Sequence, residues 1–209
     1  METKKAPLSI RVIYWLTSIV FGLLATVLLG AIVFNILLYT DFFGNDMQLH
    51  ILLPVKVDFL EIGNLRLNNQ NIKIELVEAT TRIHFFNTPG FIAKKFGIAM
   101  LCVSLFTCYL TWTFRMFIKN VKDGEIFTLI NIALLKRISY TLIGFWLFTV
   151  IYIRIAYYYI ANGLEFDNVF ITDDIPNYSG ILFFALFIWV LAHIFGTGLK
   201  LQQEKDLTI

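Results

Sequence analysis

Charged residues are scarce in this sequence. Only 15% of its 209 residues are Asp, Glu, Lys or Arg, whereas soluble proteins carry about 25%. Hydrophobic residues make up 58% of the chain, and there are 21 phenylalanines. Because so few side chains are suited to water, we expect lipid rather than water to surround most of the chain. The composition therefore argues against a soluble globular protein.

Residues that hold metals or act as nucleophiles are also scarce, with two cysteines and three histidines. Cys102 and Cys108 lie in one apolar run on different faces of a helix, as small packing residues would. The histidines (His50, His84 and His193) have no second ligand at metal-binding spacing, although His50 and His84 could meet across two strands. The sequence contains no zinc-protease, Cys-x-x-Cys, phosphate-loop or dinucleotide motif. We therefore expect no enzyme activity, no metal and no cofactor.

Four long apolar runs dominate the chain instead. They cover about residues 12–38, 94–116, 136–161 and 180–199. A membrane-spanning helix needs about 20 predominantly apolar residues. The first run follows a basic start, as in a signal peptide, but a signal peptide has an apolar region of only about 7–15 residues. We therefore expect an uncleaved anchor there and four transmembrane helices in all.

The loop after the first run has a different pattern. From about residue 39 to 90, apolar and polar residues alternate, as in Val55–Phe59 and Ile72–Leu76. Alternation of this kind predicts short strands, and turns are predicted at Gly63-Asn64 and at residues 68–71. The predicted fold is a mostly α membrane protein, a single membrane domain of four transmembrane helices. A small extracytoplasmic β insertion lies between helices 1 and 2.

Basic residues mark the connection between the second and third runs, from Lys119 to Arg137. We call about residues 117–135 the elbow. The next short loop, residues 162–179, carries acidic residues and no Lys or Arg. Because short loops rich in Lys and Arg stay on the cytoplasmic side, we expect the elbow and both termini in the cytoplasm.

Local signals within the elbow predict how the third helix starts. Asp123-Gly124-Glu125 has the composition of a turn, and Thr128 is placed to cap the helix that follows. Asn131 occupies the position where a capping box has Glu or Gln. The box is therefore imperfect, although the cap itself is predicted.

Two ionisable side chains fall within the predicted spans, where a functional role is the default hypothesis. Arg154 lies near the outer end of the third run, where it could bind an anionic ligand or pair with the acidic loop. Alternatively, it extends to the headgroups beside Tyr157–Tyr159. His193 lies near the inner end of the fourth run. Packing or an interfacial position suits it better than a proton relay, because a relay needs partner acids in the bundle.

Two stretches resemble a known bacterial family. The first is Asp123-Gly124-x-Ile126-Phe127-Thr128 with Asn131 and Leu135–Ile138, and the second extends from Leu191 to Ile209 and ends in LQQEKDLTI. Together they resemble the bacterial membrane family called domain of unknown function 2975. The resemblance implies four spans, a large first outer loop and a location in the bacterial cytoplasmic (inner) membrane.

The resemblance implies a partner rather than an activity, because family members are often encoded beside a small helix-turn-helix regulator. We therefore expect a non-enzymatic regulator or sensor that acts on a cytoplasmic partner such as a small helix-turn-helix DNA-binding protein. We expect no direct nucleic-acid binding. The candidate partner-binding residues are Phe127, Asn131, Arg137, Gln202, Glu204 and Asp206. The alternative is a small transporter or permease component with Arg154 as an anion contact.

Overall fold

The computed structural model describes residues 7–44, 47–67, 70–161, 163, 169–171 and 175–207. These residues form seven elements: α1 (Leu8–Tyr39), β1 (Leu49–Leu67), β2 (Gln70–Phe85), α2 (Gly90–Lys122), α3 (Leu129–Ala161), β3 (Val169–Ile171) and α4 (Ser179–Leu207). Part of the predicted turn at residues 68–71 and the last two residues of the tail, 208–209, lie outside the described residues.

All four helices are long and apolar enough to cross a membrane. α1, α2 and α3 have 32, 33 and 33 residues, and α4 has 29. Helices of this length extend about 43–50 Å at about 1.5 Å per residue, whereas the hydrocarbon core of a bilayer is about 30 Å thick. Many of their large apolar side chains are exposed on the helix surfaces. Contact with lipid is favourable for such side chains, whereas contact with water is not. The chain is a multi-pass membrane protein, as its apolar runs predict.

The chain divides into two compact units. The first comprises Met1–Phe42, Lys94–Leu147 and Ser179–Ile209, and the second comprises Phe43–Ala93 and Phe148–Tyr178. The first unit therefore contains α1, the elbow, α4 and large parts of α2 and α3. The second contains the strands and the remaining helix ends.

Within the first unit, α1 packs antiparallel against α2. Near the end of α1, Asn35 Nδ2 donates a hydrogen bond to the carbonyl oxygen of Gly97 at 2.9 Å. The backbones approach closely there, because a Cβ at Gly97 would lie 2.7 Å from Leu38 Cδ1. Near the start of α1, Ser18 Oγ accepts a hydrogen bond from Arg115 Nε at 2.9 Å. The two contacts together fix the alignment of the helices.

α3 and α4 pack around small residues. Ser139 and Ala185 have no exposed surface, and Ser139 Oγ donates a hydrogen bond to the Ala185 carbonyl oxygen at 2.8 Å. Ile138 and Leu142 are buried with Ala185, and Leu110 of α2 packs against them. Lipid tails are as apolar as these side chains, so close packing and interhelical hydrogen bonds, rather than the hydrophobic effect, hold such helices together. This core joins α2, α3 and α4.

The second unit contains an antiparallel sheet with the strand order β2-β1-β3. β1 and β2 pair from Leu49 with Phe85 to Leu67 with Gln70, and β3 pairs with β1 at residues 57–59. The sequence predicts short strands in this part of the chain, but β1 and β2 have 19 and 16 residues and form one long hairpin.

The predicted turn at Gly63-Asn64 is wrong. Gly63 pairs with Ile74 and Asn64 pairs with Lys73, within a stretch of unbroken register. The register instead shifts between Leu52 and Lys56 and between Asp58 and Glu61. The first shift includes Pro54, which has no N–H to donate to a ladder. Gly63 and Asn64 do not form a turn, because the residues before and after them in β1 also pair with consecutive residues of β2.

Candidate functional site: the elbow and the end of α4

Within the elbow, α2 ends just before a glycine in the left-handed region. Gly124 has φ = 91°, a conformation that glycine adopts without strain. Its N–H donates to the Val121 carbonyl oxygen at 3.2 Å, and the Glu125 N–H donates to the Asn120 carbonyl oxygen at 2.9 Å. These two bonds form the Schellman motif that commonly ends helices. The predicted turn is confirmed.

Asn131 holds the elbow together from the first turn of α3. Its side chain is fully buried. Nδ2 donates to the carbonyl oxygens of Glu125 and Ile126, and Oδ1 accepts a hydrogen bond from Asn120 Nδ2 at 2.8 Å. One side-chain amide therefore links the end of α2, the connecting loop and the start of α3. Because an unpaired buried amide is costly, this arrangement strongly favours one loop conformation.

Thr128 caps α3, as the sequence predicts. Its Oγ1 accepts a hydrogen bond from the Asn131 N–H at 3.2 Å, and its carbonyl oxygen accepts one from the Ile132 N–H at 3.1 Å. In a capping box, the side chain at the Asn131 position would reach back to the backbone of the capping residue. Here it reaches two loop carbonyls instead, so it stabilises the loop rather than the cap.

Phe127 attaches the elbow to α4. Its ring lies against the backbone of Gly198, where an added Cβ would be 2.7 Å from Phe127 Cε1. The Phe127 and Phe195 ring centroids are 5.4 Å apart, and the Phe195 and Phe117 centroids are 5.8 Å apart. Distances of this size are typical of favourable aromatic pairs. Three rings and one glycine thus connect α2, the elbow and α4.

Some apolar side chains of the elbow are exposed rather than packed against the helices. Leu129 is 74% exposed, Ile130 is 60% exposed and Ile126 is 43% exposed. We call these three residues the elbow patch. Asn131 and Thr128 hold the backbone beneath the patch in place.

The predicted partner-binding residues of α4 lie on a helical extension. α4 continues to Leu207, beyond the predicted fourth span. Gln202 and Glu204 are exposed on this extension, and Arg137 is exposed on α3. Asp206 belongs to the helix, but its side chain lies outside the described residues. Asn131 is fully buried and bonds the loop, so its side chain presents no exposed surface to a partner.

Arg154 and His193 belong to different units. Arg154 is exposed on α3 within the second unit. His193 is exposed on α4, with its ring centroid 5.0 Å from that of Trp189 in an edge-to-face arrangement. Its carbonyl oxygen accepts a hydrogen bond from Thr197 Oγ1 at 3.3 Å. The ring contact with Trp189 favours a packing role for His193.

No metal centre is formed within the part of the chain that the structure describes. There, no three His, Cys, Asp or Glu side chains are grouped closely enough to hold a metal ion. Cys102 and Cys108 are free thiols. His50 and His84 are register partners across β1 and β2, as the sequence suggests.

Sequence reasoning missed a cluster of basic and aromatic side chains between α1 and the last turns of α2. Arg115 Nε donates to Ser18 Oγ at 2.9 Å, and Arg115 Nη2 donates to the Tyr14 hydroxyl at 3.3 Å. Lys122 Nζ lies 4.3 Å from the centroid of the Tyr14 ring. One signal was available, because the basic residues Arg115, Lys119 and Lys122 recur with the period of a helix.

One protein family matches the chain. Its description is "Protein of unknown function (DUF2975)", and the match covers residues 73–209, which is more than half of the chain. The matched region includes α2, the elbow, α3 and α4. No curated protein and no solved structure matches the chain.

Proposed function

Since the chain belongs to the DUF2975 family of proteins of unknown function, whose description assigns no activity, we propose a function from the geometry of the elbow. The protein is a non-enzymatic regulator or sensor in the cytoplasmic membrane of a bacterium. It acts on a cytoplasmic protein, and the partner that we propose is a small helix-turn-helix DNA-binding protein. By holding that protein at the membrane, the chain would keep it from DNA.

The orientation that this function requires is supported by charge. Basic residues lie on both sides of the elbow turn, including Lys119, Lys122, Lys136 and Arg137. Lys and Arg near the ends of spans favour the cytoplasmic side. With the elbow inside, both termini are also cytoplasmic, and the β1–β2 hairpin is extracytoplasmic. The hairpin is then available to sense conditions outside the cell.

The elbow patch is the observation that carries the proposal. Leu129 and Ile130 are the most exposed apolar residues of the elbow, yet they sit on backbone that Asn131 and Thr128 hold in place. Because this backbone is already ordered, the patch loses little backbone conformational entropy when a partner binds. It is therefore suited to contact a protein surface of complementary shape.

The end of α4 adds a polar surface to the proposed contact. Phe127 packs against Gly198, and α4 continues from there to Leu207 with Gln202 and Glu204 exposed. Apolar anchors beside polar groups are the usual composition of protein interfaces. A partner that touches both surfaces would detect any movement of α4 relative to the elbow.

Co-purification tests the proposal. The full chain is extracted from native membranes in mild detergent, and the proteins that accompany it are identified by mass spectrometry. Two variants are compared with it: deletion of Gln202–Ile209, and the double substitution Leu129→Gln with Ile130→Gln. Lys73→Gln, on an exposed residue of β2, is the matched control.

The proposal requires a small helix-turn-helix protein to accompany the full chain and the control, and to decrease at least about tenfold with both variants, since loss of about 1.4 kcal/mol is tenfold in affinity. Equal recovery with all four chains would contradict it. If only membrane subunits or lipids accompany the full chain, a regulatory role fails. The transporter alternative then becomes the working hypothesis, with Arg154→Ala and solute flux as its test.

A further inference from the structure

Arg115 is a charged side chain whose contacts are all neutral within the described part of the chain. Its guanidinium donates hydrogen bonds to the hydroxyls of Ser18 and Tyr14. Its Cζ atom also lies 5.5 Å from the Tyr14 ring centroid and 5.8 Å from that of Phe21. A guanidinium has five N–H donors, so these contacts satisfy only part of its capacity and none of its charge.

The surroundings of Arg115 add further positive charge. Lys119 and Lys122 follow Arg115 on the same face of α2, one and two turns along the helix. Lys122 lies over the Tyr14 ring and 3.6 Å from the carboxylate of Asp123. Apart from that ion pair, the described residues supply no acid to the face, so its positive charge exceeds its negative charge.

An excess of positive charge is costly at the depth in the membrane where Arg115 lies. The predicted second span ends at about residue 116, so Arg115 lies where hydrocarbon gives way to headgroups. A partly buried charge without a counter-ion is unfavourable in such a medium. The Arg115 side chain also extends to α1, where it bonds Ser18 and Tyr14. These two hydrogen bonds hold the guanidinium in place between α1 and α2. A fixed cation at headgroup depth is suited to bind an anion.

We propose that Tyr14, Ser18, Arg115 and Lys122 form a binding site for the phosphate of an anionic phospholipid, at the elbow end of α1 and α2. The guanidinium presents its remaining N–H groups to the phosphate oxygens, as arginine does in phosphate recognition. Lys122 contributes a second positive charge, and Lys119 is exposed on the same face. Basic pockets between transmembrane helices are established sites for such headgroups. The site does not depend on the proposed protein partner.

Lipid retention tests the site. The full chain is reconstituted in nanodiscs of phosphatidylcholine with phosphatidylglycerol of the same acyl chains, released into mild detergent and analysed by native mass spectrometry. Arg115→Gln and Lys122→Gln each remove one cation of the site. Lys136→Gln is the matched control, since Lys136 is a basic residue of α3 close to the elbow. Circular dichroism is used to test whether each variant retains its helices.

The wild type and the Lys136→Gln control should retain phosphatidylglycerol in preference to phosphatidylcholine. Each site variant should retain about fivefold less, as expected for one cation near a membrane surface. Equal retention of the two lipids by the wild type would overturn the proposal, and so would a wild-type level in both Arg115→Gln and Lys122→Gln. If Arg115→Gln fails to fold, Lys122→Gln alone decides.

A free phosphate ion can make the same contacts with these cations as a lipid phosphate. A second experiment therefore distinguishes a free ion from a lipid. The chain is placed in nanodiscs of phosphatidylcholine alone, and its thermal unfolding is followed with and without inorganic phosphate. The same measurement is made in nanodiscs that also contain phosphatidylglycerol. A higher unfolding temperature with phosphatidylglycerol, but not with inorganic phosphate, supports a lipid site. Equal stabilisation by inorganic phosphate would assign the site to a soluble anion and overturn the lipid assignment.

Discussion

Asn131 shows how one side chain can determine the shape of a connection between two helices. It is fully buried, and its amide bonds two loop carbonyls and the side chain of Asn120. The sequence marks Asn131 as an imperfect capping-box residue and as a candidate partner-binding residue, but not as the residue that bonds the loop. Its actual partners become apparent once the backbone of Glu125 and Ile126 is placed, because those carbonyls belong to a loop of irregular conformation.

Asn131→Ala should lower the free energy of unfolding by about 1–3 kcal/mol, the usual cost of leaving buried polar groups unpaired. The measurement is chemical denaturation in detergent micelles, followed by far-ultraviolet circular dichroism. Asn87→Ala is the control, because Asn87 is exposed and such substitutions usually change stability by less than about 0.5 kcal/mol. If the two substitutions have equal effects, Asn131 does not hold the elbow.

Other residues of the elbow could be predicted from local chemistry. Thr128 is an N-cap residue by type and position, and Gly124 lies in a turn-forming sequence, so both roles follow from neighbours in the chain. The contact between Phe127 and Gly198 could not be predicted in this way, because it joins residues far apart in the sequence. Arg115 was missed for the same reason, since its partners lie on α1.

At the scale of the element, the end of α4 approaches the elbow closely where Gly198 meets Phe127. A Cβ at Gly198 would lie 2.7 Å from the Phe127 ring, well inside van der Waals separation. Either the ring or the helix must therefore move when any other residue replaces this glycine. The contact should couple the conformation of the elbow to the position of the last turns of α4, from Gly198 to Leu207.

Gly198→Ala should cost about 1–3 kcal/mol through overpacking, despite the better helix propensity of alanine. Phe127→Ala should relieve that cost in the double variant, and hydrogen exchange of the elbow amides should report both effects. Gly180→Ala is the control, because a Cβ at Gly180 has no described neighbour within 4 Å. Additive effects of Gly198→Ala and Phe127→Ala would show that the two positions are not coupled.

The strands illustrate what element-scale patterns do and do not specify. Alternation in residues 39–90 predicts β structure. The turn signal at Gly63-Asn64 predicts a break between two strands, but both residues pair within the β1–β2 ladder. A local signal cannot indicate whether a partner strand continues opposite it. β3 was not predicted, because three residues, Val169–Ile171, are too few to show a period.

At the scale of the whole molecule, the number of spans was the easiest property to predict. Long apolar runs have few alternatives to spanning a membrane, and the four helices include those runs. Which helices pack together was not predictable, because lipid-facing and protein-facing sides of a span are both apolar. The pairing depends on small and polar residues such as Ser139, Ala185 and Gly97, which look unremarkable in the sequence.

The proposed regulation depends on the elbow being cytoplasmic and the β1–β2 hairpin being outside, which cysteine labelling measures directly. In a chain with Cys102→Ala and Cys108→Ala, Glu125→Cys reports the elbow and Lys73→Cys reports the hairpin, since both positions are exposed. A membrane-impermeant maleimide is applied to spheroplasts and to inverted vesicles. Position 73 should react only in spheroplasts, and position 125 should react only in inverted vesicles. Reaction of position 125 in intact spheroplasts would place the elbow outside and contradict a role on any cytoplasmic partner.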